Sequence, residues 1–190
     1  MTQIENQSSV ALINKGINNA IHGLSQMVGR EIEVTDFKIK KVIVKDISNM
    51  FGGPEAMLVG VYLQVSGFAD GHMVVVYEPS IAFQLIDLLM GQEPGSTTDL
   101  SEMEQSVLGE VGNIMGSFFL NVLADGTGTC LQPSPPAVMM DMAGSILDVL
   151  LAQVLEQHDE AYVAETNFSM SEQKVNGKFL VLPVPALDNI

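Results

Sequence analysis

The sequence predicts an α+β fold in which a mainly antiparallel sheet packs with two long related helices and several shorter ones. Three observations lead there. Segments of helical and strand period follow one another as α-β-β-β-α and then α-α-β-β. Hairpin and turn residues, not crossover helices, stand between most strands, which argues against a doubly wound parallel sheet. The pattern of the long second-half helix also repeats near the start of the chain: a shift of 99 residues places Leu12 on Val111, Asn14 on Asn113, Leu24 on Leu123 and Gly29 on Gly128.

In chain order, Ser8 or Ser9 can cap a helix reaching Val28, with Val10, Ile13, Ile17, Ile21 and Leu24 on one face and Gly29 as its stop. Glu31–Lys45 alternates charged with β-branched residues and reads as one bent strand or two short ones. A loop with Gly52-Gly53-Pro54 follows, then strands at about Ala56–Val65 and His72–Tyr77 around the turn residues Ala69-Asp70-Gly71. Pro79 and Ser80 start a short helix that runs from Ile81 to Met90 and stops at Gly91. QEPGSTT marks a linker over residues 92–99 between two related halves, 1–91 and 100–190, of a single domain.

The second half opens on its long helix, Glu102 to about Leu123. Ser101 and Glu104 have the spacing of a capping box. Leu108, Val111, Met115, Phe118, Phe119 and Val122 make its core stripe, and Glu102, Ser106, Glu110, Asn113 and Ser117 face away. Gly109, Gly112 and Gly116 each cost roughly 1 kcal/mol of helix propensity relative to Ala. They are expected to give a docking partner clearance on the outward face. Pro133, Pro135 and Pro136 impose an extended piece, a helix is expected over Ala143–Leu155, and two strands, Ala161–Phe168 and Lys178–Leu182, flank the hairpin dipeptide Asn176-Gly177. Met115, Met139, Met140 and Met142 are expected to pack the interior.

Composition narrows the function. With 190 residues, 47% of them apolar, the chain can bury a core. A net charge of −15, from 23 acids against 8 bases, repels a phosphate backbone, so neither nucleic acid nor an anionic membrane is expected as a partner. Without a signal segment or a membrane-length apolar run, and with Cys130 the lone cysteine, a cytoplasmic setting is expected. His22, His72 and His158 lack metal-ligand spacing and read as unpaired surface or turn residues, and no metal of its own is expected.

On spacing alone, Glu110 and Asn113 read as a solvated pair on a helix face; the glycines, the prolines and the repeat favour a site. The pattern Ser106, Glu110, Asn113, followed by Pro135 or Pro136 within PSPPAV, resembles the signature of the CheC/CheX/FliY phosphatases of bacterial and archaeal chemotaxis, which dephosphorylate the response regulator CheY. The likeness extends over nearly the whole chain. It implies a CheC-like, pseudo-two-fold duplicated fold, with Glu110 and Asn113 catalytic and Ser106 and Pro136 supporting them. Glu110 and Ser106 fall on Ala11 and Gln7 of the first helix, so Asn14 is left as the remnant of a degenerate second site.

The resemblance implies a phosphorylated CheY-like response regulator as substrate and the receptor deamidase CheD as a second partner. It also implies that Mg²⁺ comes from the regulator. Such a regulator holds its phosphoryl group beside its own cation and lysine, so what it lacks is a water held in line with the leaving oxygen. An Asn amide on a rigid helix can hold that water, and a carboxylate one turn away can anchor the partner. The other reading is a non-catalytic adaptor, CheD-binding or of the flagellar-switch type.

Overall fold

The computed structural model describes residues 2–29, 31–67, 71–148, 160–170 and 173–182. The elements are α1 (Thr2–Val28), β1 (Ile32–Ile43), a 3-10 helix (Val44–Phe51), β2 (Met57–Gly67), β3 (Gly71–Tyr77), α2 (Pro79–Met90), α3 (Glu102–Thr127), β4 (Leu131–Pro133), β5 (Ala137–Met142), β6 (Glu160–Met170) and β7 (Gln173–Leu182). A further helical stretch covers 143–148. The strands form one sheet in the order β1-β6-β7-β3-β2-β4, with β5 also pairing β2. All of its pairings are antiparallel.

Period-two alternation builds a core on each side of the sheet. Val59, Val61, Leu63 and Val65 of β2 and Met73, Val75 and Tyr77 of β3 face α1, α2 and α3. Leu58, Val74 and Val76 face the other way, against Ile47 and Phe51 of the 3-10 helix and Ala143, Ile146 and Leu147. Strands covered on both faces lose the polar alternation of a half-solvated strand, so β3 reads as the unbroken apolar run MVVVY.

α1 and α3, the first helix of each half, run antiparallel: Leu12 meets Gly126, Gly16 meets Phe119 and Gly23 meets Phe118. Near their crossing, Asn19 Nδ2 donates to the Phe118 carbonyl at 2.8 Å, between residues 99 apart. The same interval separates β1 from the β4–β5 stretch and the 3-10 helix from 143–148. The order of the sheet is such that β1 hydrogen-bonds β6 while β4 and β5 hydrogen-bond β2. Each half of the chain thus contributes its first strand to the hairpin of the other.

Several local expectations differ from the structure. α1 starts at Thr2, ahead of Ser8 and Ser9. The Gly-Gly-Pro loop is preceded by the 3-10 helix, over residues expected to be the end of a strand and the start of a loop. β1 agrees with the first of its two expected forms, a single strand with an irregularity between Val34 and Asp36. Asn176-Gly177 is no turn: Asn176 pairs Asn167 and Gly177 pairs Thr166 inside the ladder, and the hairpin closes beyond the pair Met170–Gln173. Residues 149–155 of the helix expected over Ala143–Leu155 lie outside the described residues, as does His158. His72 is not unpaired: its Nδ1 lies 2.9 Å from the Tyr62 hydroxyl, and the two rings stack.

The segment 92–99 is tied down by Asp87 of α2, whose buried carboxylate accepts from the Gly95 amide at 2.6 Å and the Thr97 amide at 2.8 Å. Burial alone would raise the Asp87 carboxyl. Hydrogen bonds from Thr97, Gly95 and Ser96 outweigh it and hold the group below the usual carboxylate range.

By length and composition α3 is long and apolar enough to cross a membrane, with mean hydropathy 1.4 over its most apolar window, but 56% of that window is buried inside the fold. Its glycines explain how it sits so close to the sheet. Gly112 and Gly116 face inward, contrary to the expected clearance for a partner: a Cβ at Gly112 would overlap Val61 Cγ1, and one at Gly116 would lie 2.9 Å from Leu63 Cδ2. Gly112→Ala should therefore destabilise the fold by about 1–3 kcal/mol through overpacking, although Ala is the better helix former by about 1 kcal/mol. Urea unfolding monitored by circular dichroism checks the sign.

Candidate active site

The outward edge of α3 is built from its first three turns. Ser101 sits at the N-cap in an extended conformation, but its side chain makes no cap bond to the helix amides. Its hydroxyl donates to the Glu104 carboxylate instead, and this contact is the main cause holding Glu104 below the usual carboxylate range. Gln105 Nε2 donates to the Leu100 carbonyl at 3.1 Å. The helix entrance is fixed by side chains of its own first turn.

One open groove of about 650 Å³ runs beside this edge, lined on the helix side by Gln105, Ser106, Gly109, Glu110 and Asn113. The other wall is Pro133, Ser134, Pro135, Pro136 and Val138. The structure thereby brings together Ser106, Glu110, Asn113 and Pro136. Ser106 and Glu110 are exposed, whereas Asn113 and Pro136 are half-buried. Gly109 faces the proline wall, where a Cβ would make ordinary contact, 3.6 Å from Pro136 Cγ.

The wall is pinned by Ser134, which the sequence reading did not single out. Pro133, Pro135 and Pro136 have no N–H to donate, so an ordinary ladder to β2 is interrupted between β4 and β5. Ser134 bridges the gap: its amide donates to the Gln64 carbonyl at 2.8 Å, and its Oγ accepts from the Gln64 amide at 3.0 Å. The same hydroxyl donates to the Pro135 carbonyl at 3.0 Å. A serine placed among prolines beside a candidate site is the signal that could have flagged it.

Asn14 stands apart from this groove, exposed on α1. Its Oδ1 accepts from Asn18 Nδ2 at 2.6 Å, so its amide is engaged along its own helix.

Among the described residues, the lining contains a single ionisable group, Glu110, together with two side-chain amides and two hydroxyls, and no Cys or His to serve as a covalent nucleophile with its base. Among the described residues no cluster of three His, Cys, Asp or Glu side chains could hold a metal ion. Such a groove can position, hydrogen-bond and present one negative charge.

Residues 103–140, which carry the helix edge and most of the proline wall, match the CheC-like family. The chain is 29% identical over 174 residues to the CheY-P phosphatase CheC of Bacillus subtilis (strain 168), covering 90% of this chain and 83% of that protein. The fold is similar to Thermotoga maritima FliY, with a TM-score of 0.78 and 21% identity over 100% of this chain and 94% of the other.

The resemblance to the CheC-like family is carried by the segment that builds the groove.

Two further solved structures share this CheC-like fold. One is a chain of the CheX-CheY-BeF3-Mg complex from Borrelia burgdorferi, with a TM-score of 0.59 and 18% identity over 90% of this chain and 96% of that one. The other is a chain of the FliG-FliM complex from H. pylori, with a TM-score of 0.69 and 14% identity over 100% of both.

Ser134→Ala removes the acceptor of the Gln64 amide and loosens the groove wall. A loss of about 1 kcal/mol is expected, with Ser134→Thr retaining most of it. Chemical denaturation of the two variants checks the difference.

Proposed function

We propose that this protein hydrolyses the aspartyl phosphate of a CheY-type response regulator in chemotaxis, acting in the cytoplasm. One observation supports the reading above others: Ser106, Glu110 and Asn113, on one helix edge, meet Pro136, on a separate loop, in a single open groove. The similarity to a CheY-P phosphatase points to the same substrate.

In this reading the phosphorylated loop of the regulator enters the groove. Asn113 accepts from and donates to a water, holding its oxygen in line with phosphorus. The water oxygen forms the new P–O bond as the bond to the aspartyl oxygen breaks. The bonding pair leaves with the regenerated carboxylate, and a water proton passes to the departing phosphate. Glu110, exposed one turn away, anchors a cationic group of the regulator by a charge-assisted contact. The regulator brings its own Mg²⁺, which offsets the negative charge of the phosphoryl oxygens. Half-burial of Asn113 restricts its rotamers, and the pinned proline wall limits where the phosphoryl group can sit. Ser106 is small enough to allow close approach, and Asn14 takes no part.

A second reading, an adaptor that binds CheD or serves a flagellar switch without catalysis, draws support from the likeness to the FliG-FliM complex chain. Decay of phosphorylated regulator separates the two. Asn113→Ala should lower turnover roughly a hundredfold, about 2.7 kcal/mol of barrier, while Glu110→Ala should also raise KM. Asn14→Ala should match wild type. Unchanged decay with Asn113→Ala would remove the catalytic reading in favour of the adaptor.

A further inference from the structure

Outside the groove, three of the exposed large apolar side chains lie together: Met57, Met140 and Met142, at 48%, 37% and 44% exposure. Their burial had been expected for the β5 pair, Met140 and Met142, and only Met139 packs inward. The register explains the cluster. Met57 stands opposite Met142, and Val59 opposite Met140. Val138 and Val59 belong to the core beneath α3, whereas Met139 belongs to the core on the far face. Alternation along the strands therefore places all three methionines on the α3 side of the sheet.

α3 runs in the same direction as β2, since Gly112 lies over Val61 and Gly116 over Leu63. Its first turns, with Ser106, accordingly point toward the strand ends that carry the methionines. β5 connects the two features: Val138 lines the groove, and two and four residues on, Met140 and Met142 stand in solvent. The patch is a direct continuation of the groove wall.

We infer that this methionine patch is docking surface for the phosphorylated receiver domain itself, seating an apolar area of that protein while its phosphoryl group occupies the groove. The inference rests on the reading under Proposed function. A receiver domain is far larger than a groove of about 650 Å³, so most of its footprint must fall on the surrounding surface. The continuous surface on β5 is apolar and made of methionine, whose unbranched, polarisable side chain adapts to a partner. A second copy of this chain is the poorer occupant, because association would bring together two molecules of net charge −15.

The test uses a CheY-type receiver phosphorylated with acetyl phosphate and follows phosphate release by wild type, Asn113→Ala and the double variant Met140→Gln/Met142→Gln. The double variant should raise KM about tenfold with kcat and circular dichroism unchanged. An unchanged KM overturns the docking role, while loss of turnover in Asn113→Ala in the same experiment leaves the catalytic reading standing. Full turnover in Asn113→Ala sinks that reading instead, whatever the methionine variant does. A wild type that sediments as a dimer, with the double variant monomeric, assigns the patch to self-association and overturns the proposal.

Discussion

The close approach of α3 to β2 is the constraint on which the rest depends. Gly112 and Gly116 let the helix backbone lie against Val61 and Leu63, so close that a Cβ at either position would displace a sheet side chain. Because the helix is seated so low, its edge comes level with the loop between β4 and β5. That is what closes a groove between Asn113 and the prolines. A helix held further off would present the same Glu110 and Asn113 to open solvent, where neither could select a geometry for water or phosphate. The helix pays for these glycines in propensity and recovers it in burial, with Leu108, Val111, Met115, Phe119, Leu120 and Leu123 all in the core.

The sheet adds a second requirement. β2 is paired on one side by β3 and on the other by β4 and β5 in succession, and the break between those two strands is the proline wall. Ser134 turns the break into a fixed feature, replacing the donors that the prolines lack. On the α1 side, the segment that would be equivalent under the 99-residue shift is the continuous strand β1, and Asn14 is bound to Asn18. Among the described residues the polar constellation is assembled on α3, although both helices pack on the same face of the sheet.

Much of this was legible in the residues. Helical and strand periods located most of the long elements, because their cores obey simple spacing: Ile13, Ile17, Ala20 and Leu24 on α1, and Leu108, Val111, Met115 and Phe119 on α3; the start of α1, the 3-10 helix and the start of β7 were not legible. The four groove residues were named from spacing and resemblance, and the structure brings them together. What was not legible follows from tertiary context. Glycines at helical spacing show that something comes close, but not from which side; it is Val61 and Leu63 of the sheet. Asn176-Gly177 has the chemistry of a hairpin turn, yet ladder pairing with Thr166 and Asn167 overrides it. Met140 and Met142 look like core by composition, and are exposed because β5 lies at the sheet edge. Ser134 matters only through Gln64, which is 70 residues away in the chain.

Chemically, the site is defined by how little it contains: one carboxylate, amides and hydroxyls along a rigid groove. In the proposed reading such a site lowers a barrier by fixing a water, while the partner brings the electrophile and its cation. The most direct measurement of that claim is phosphate release from a phosphorylated CheY-type receiver, with and without this protein, in ¹⁸O-labelled water. The account predicts faster release with one labelled oxygen in the phosphate and none in the receiver's aspartate. Release at the unassisted rate, or label appearing in the aspartate, would contradict it.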